Sequence, residues 1–97
     1  MSDYAGVGLV QYAADAILDV LLSSEDGTFR RRPGRVLVEL ANLAFRADVA
    51  VGDIEYHATS RAVLMLEELG LVTVTRLYHR GKAKANILVA VRLNEEI

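Results

Sequence analysis

At 97 residues the chain is long enough for one domain with a modest core and too short for two. An apolar share of 53% and a charged share of 25% exclude a disordered polyelectrolyte, and the absence of cysteine excludes disulfides, thiolate catalysis and cysteine-ligated zinc. The net charge of −2 argues against a nucleic-acid binder, yet the charges are segregated into acidic and basic blocks.

Residues 1–29 hold Asp3, Asp15, Asp19, Glu25 and Asp26 with no basic residue. Among them Val10, Ala13, Ala14, Ile17, Leu18, Leu21 and Leu22 recur at helical spacing, which predicts a first helix over 9–23 with Asp15 and Asp19 on its wet side. Gly6 and Gly8 argue against a start before about Val7, and Ser24-Glu25-Asp26-Gly27 ends the helix, Gly27 supplying a positive φ. Thr28 to Arg32 reads as a short extended piece inside the basic block Arg30, Arg31, Arg32 and Arg35. Pro33 suits the first turn of a second helix over 33–45, because its missing N–H is not needed there. Val36, Leu37, Leu40, Ala41, Leu43 and Ala44 form its apolar face. After a connection from Arg46 to Gly52, Asp53 is placed to cap a third helix over 53–69, with Glu55 near its positive end and Gly70 just past its last turn.

Beyond Gly70 the apolar period changes from 3.6 to 2, predicting a hairpin over 71–93. With Gly81-Lys82 at the centre of a two-residue turn, Arg80 faces Ala83 and Arg76 faces Ile87. The same register sets Val74 opposite Val89 and Val72 opposite Val91 on one face, and Thr73 and Thr75 on the other. Five basic residues and no acidic one lie between Arg76 and Arg92, three of them (Arg80, Lys82, Lys84) at the expected tip.

The stretch from Thr59 to Val72, Thr-Ser-Arg-Ala-Val-Leu-Met-Leu-Glu-Glu-Leu-Gly-Leu-Val, resembles the end of the recognition helix and the first wing strand of bacterial and archaeal winged helix-turn-helix regulators. The resemblance covers about residues 8–93. It implies an α+β fold with a three-helix core followed by a two-stranded antiparallel wing. It also implies a transcriptional regulator that binds double-stranded DNA, generally as a homodimer. In such a domain a helix enters the major groove and the wing holds phosphate or the minor groove. Carried onto this chain, the DNA-binding residues would be His57, Ser60 and Arg61 on the third helix and Arg80, Lys82 and Lys84 on the wing. Arg30, Arg31 and Arg32 are further phosphate contacts on this reading, or else neutralise the acidic first helix.

A second reading uses the same shape as a protein-interaction module. Asp53 and Glu55 at the start of the third helix, and an additional apolar stripe of Ile54, Ala58 and Met65, point that way. Ile54, Leu64 and Met65 are then the dimer or partner contacts. No catalytic constellation is present: no glycine-rich phosphate loop follows a strand, and Asp15 and Asp19 have no partner base. His57 and His79 are the only histidines and lack a metal-ligand spacing, so neither a metal nor a cofactor is expected. No apolar run approaches the roughly 20 residues of a membrane span, and no secretory leader opens the chain, so a cytoplasmic protein is expected. Nothing in the sequence identifies an effector ligand.

Overall fold

A computed structural model describes the backbone of residues 2–46, 52–79 and 82–94, and the side chains of 8–46, 52–77 and 87–94. The described elements run α1 (Ser2–Ser23), β1 (Thr28–Arg30), α2 (Val36–Phe45), α3 (Asp53–Glu68), β2 (Val72–His79) and β3 (Lys82–Leu93). The fold is α+β, with three helices and an antiparallel sheet of order β1-β3-β2. The sheet therefore has three strands where two were expected. The extended piece after Gly27 is an edge strand, Phe29 facing Val91 and Arg30 facing Ala90.

α1 begins at Ser2, well before the expected start, and both Gly6 and Gly8 lie inside it. A helical glycine costs only about 1 kcal/mol relative to alanine, while each added residue brings another backbone hydrogen bond. Ala13, Ala14, Ile17 and Leu21 form its fully buried face. The helix ends at Ser23, Gly27 adopts φ +69, and the Asp26 carboxylate accepts the Thr28 N–H at 3.1 Å.

Pro33 does not begin α2. Arg35 N–H donates to Arg32 C=O at 2.9 Å and Gly34 has φ +86, so Pro33-Gly34 are the central pair of a turn with the type II pattern. Proline sets the φ of the first central residue and glycine tolerates the positive φ of the second. Helix α2 follows at Val36, burying Val36, Leu37, Leu40, Ala41 and Ala44.

At the start of α3 the N-cap is Gly52, and Asp53 is the first helical residue rather than the cap. Its far end is a Schellman motif. Leu71 N–H reaches Leu66 C=O, Gly70 N–H reaches Glu67 C=O, each at 3.0 Å, and Gly70 has φ +79. α3 packs against both α1 and α2, which explains why it is apolar on more than one side. Ala58 is buried and Met65 lies partly buried against the core, so neither belongs to an open second stripe. Thr59 is fully buried, its hydroxyl donating to Glu55 C=O at 2.8 Å.

The hairpin register also differs from the expectation. Val72 pairs with Leu93 and Val74 with Val91, and the last described pair is His79 with Lys82 rather than Arg80 with Ala83. Two irregularities reconcile the ends. Between the pairs Thr75–Ala90 and Arg76–Leu88, β3 carries one extra residue, Val89, and more follow before Ala83. Near the base the displacement is by two residues, which preserves faces, so Val72 and Val74 still point toward the helices. The bulge at Val89 then turns Leu88 inward, where it joins Phe29, Val72 and Val91 beneath Ile17, Leu40, Val63 and Leu66.

Candidate nucleic-acid interface

The two buried sides of α3 leave one outward stripe. Ile54, His57, Arg61, Leu64 and Glu68 are all exposed and follow one another at three- and four-residue steps. Ile54 is 66% exposed and Leu64 48%. Ser60 is half-buried beside the stripe. His57 meets the Tyr56 ring edge-on at 5.8 Å between centroids. Among the described residues Arg61 makes no ion pair, so its guanidinium donors are available to a partner. Beside it lies a depression of about 250 Å³ lined by Leu9, Asp53, Ile54, His57, Ala58 and Arg61. Leu9 of α1 was not among the expected site residues. Only the packing of α1 across α3 brings it there.

The stripe is mixed in charge. Asp53 and Glu55 occupy the first turn of α3, where the helix dipole favours carboxylates, and Glu68 closes the far end. Such a surface repels phosphates at its ends and offers cationic and apolar groups in its middle.

The arginine block divides into two functions. Arg31 Nε donates to Glu39 at 2.6 Å, its guanidinium sits 4.1 Å from the Phe29 ring centroid, and Arg35 approaches the same carboxylate at 3.5 Å. The Arg31 hydrogen bond holds the Glu39 carboxyl below its ordinary range. The acidic partner of the block is thus on α2, not on the first helix. Arg30 and Arg32 are exposed and form no ion pair among the described residues. Arg30 shares the outer face of the sheet with Thr28, Thr73, Thr75 and Arg92.

Of the expected wing residues, Arg80 lies outside the described residues. Lys82 and Lys84 are placed in β3 by their backbone, and their side chains are likewise outside. What joins the hairpin to α3 is Arg76, whose two terminal nitrogens donate to the two oxygens of Glu67 at 2.7 and 2.8 Å. The sequence reading did not find this pair. The available signal was Arg76 sharing the parity of the apolar Val72 and Val74, where a cation needs a carboxylate beside it.

The Arg76 hydrogen bonds hold the Glu67 carboxyl below its ordinary value of 4.5, against a smaller opposing effect of burial. A carboxyl with a lowered folded pKa contributes stability that is fully present above the ordinary value and lost as pH falls through the lowered one. The Glu67→Gln variant is therefore expected to lose less stability than the wild type as pH falls from 4.5. Urea midpoints measured across that range check this, and parallel acid limbs would show that the pair contributes nothing.

Among the described residues no three His, Asp or Glu side chains converge as metal ligands, and no helix is long and apolar enough to cross a membrane. No protein-family model, curated protein or solved structure matches this chain.

Proposed function

We propose that this chain is a winged-helix DNA-binding domain, acting as a homodimeric transcriptional regulator in the cytoplasm. The observation that carries the reading is Arg61, exposed and without an ion pair among the described residues, on the outward stripe of a helix whose other sides are committed to the core. A helix of this diameter fits the major groove, where an arginine donates two hydrogen bonds to the O6 and N7 of guanine. His57 lies one turn before Arg61, and Ser60 beside it. The hairpin supplies Arg80, Lys82 and Lys84 for phosphates, and Arg30 and Arg32 extend the basic surface. The element order and the β1-β3-β2 sheet are compatible with a winged-helix layout.

Titrating the full chain into a labelled mixed-sequence duplex, followed by fluorescence anisotropy, tests the reading. Binding should weaken linearly in log–log terms with salt, the slope near −0.9 per phosphate contacted. No binding at low salt would overturn it.

A second reading is favoured by a different observation. Ile54 and Leu64 are apolar, exposed and on the same stripe as Arg61, with Asp53 and Glu68 at its ends. That composition suits a protein surface in an assembly, and it becomes the conclusion if duplex binding fails.

A further inference from the structure

We propose that Ile54 and Leu64 are specificity residues that read thymine methyl groups on either side of a guanine held by Arg61. This rests on the DNA-binding reading above. The stripe holds an arrangement that phosphate recognition does not explain: two large aliphatic side chains, 66% and 48% exposed, with an arginine between them that makes no ion pair among the described residues. Carboxylates at the two ends of the stripe disfavour laying the helix along a phosphate backbone. They direct the partner's contact to the middle, where the groups are a guanidinium and branched alkyl chains. Arg76 is committed to Glu67, but the hairpin sequence also carries Arg80, Lys82 and Lys84 with no acidic residue near them, a charge complement for a phosphate-bearing partner.

In the major groove the one apolar feature of a base edge is the C5 methyl of thymine. Ile54 also borders the depression whose apolar lining is Leu9, Ile54 and Ala58, and whose volume of about 250 Å³ readily accepts a methyl-bearing base edge. Spacing sets the order of bases. Leu64 stands three residues from Arg61, about 4.5 Å along the helix, and Ile54 stands seven residues away, about 10.5 Å. With bases about 3.4 Å apart, a helix following the groove sets one thymine about one step from the guanine. The other falls about three steps away on the opposite side.

Deoxyuridine replaces thymine with the loss of the methyl alone, so it isolates this contact. Duplexes selected by the full chain from a random pool are remade with deoxyuridine at each thymine in turn, and binding is measured by anisotropy. The wild type should bind about fourfold more weakly at each of the two positions, the factor expected for one methyl returned to water. Ile54→Ala should abolish the thymine preference at the distant position and Leu64→Ala at the near one. Both side chains are exposed, so neither change disturbs the core. Wild-type binding that is salt-dependent yet equal for thymine and deoxyuridine overturns the inference while leaving DNA binding intact. Failure to bind any duplex overturns the inference together with the reading beneath it, and assigns the stripe to a protein partner.

Discussion

Leu66→Ala is expected to lower the free energy of unfolding by about 2–5 kcal/mol, the range for truncating a buried leucine. Leu66 is 2% exposed and occupies the last turn of α3, in the same cluster as Ile17, Leu40, Val63, Val72, Leu88 and Val91. Apart from Val63 of α3 itself, those neighbours come from α1, α2, β2 and β3, so the cavity would open where nearly every element meets. The Leu66 carbonyl also accepts the Leu71 N–H that closes the helix, which limits how far the chain can relax into the space. Small domains have only about 5–15 kcal/mol of total stability, so the variant should sit near the edge of folding. Urea denaturation provides the measurement, with the midpoint falling at constant slope. Leu64→Ala, at a position 48% exposed, should move the midpoint little. Equal midpoints for the two variants would contradict the placement of α3.

Arg61→Ala is expected to weaken binding to the preferred duplex by about 1–3 kcal/mol, from several-fold to more than a hundredfold, and to relax the requirement for one guanine. The side chain is exposed and without an ion pair among the described residues, so the loss should come without a change in the urea midpoint. Arg61→Lys should not restore the guanine preference, because a single ammonium cannot reproduce the two parallel hydrogen bonds of a guanidinium. The salt slope should stay near its wild-type value, since base contacts release few counterions. A parallel drop in affinity for all sequences, with a shallower slope, would reassign Arg61 to a phosphate. Unchanged affinity would remove it from the interface.

The helices were legible because their signals are local. Ile17 and Leu21, or Leu40 and Ala44, report a buried face through their spacing alone, and Gly70 reports a helix end through its tolerance of positive φ. Pro33 alone suits a helix start, but the positive φ of Gly34 beside it makes the pair a turn instead. The hairpin was recognised, with Val72 and Val74 on the core side, while its register was missed. Register depends on the summed pairing along both strands, and the bulge at Val89 has no signature within a window of a few residues.

The candidate site was legible to the same depth. The outward positions His57 and Arg61 follow from helical geometry once the core face is known, and both are exposed. Met65 lies partly buried against the core, because α3 packs against α1 and α2 together and no single apolar stripe describes a helix covered from two directions. The sequence by itself determined the buried faces of α1 and α2, the helix stops and the polarity of the hairpin, since each follows from residues a few positions apart. Only the tertiary structure decided that Thr28–Arg30 joins the sheet, that Arg76 clasps Glu67, and that Leu9 borders the depression at Ile54. Those three features bring together residues 9 to 64 positions apart, and which distant partners meet is settled by packing of the whole core rather than by local preference.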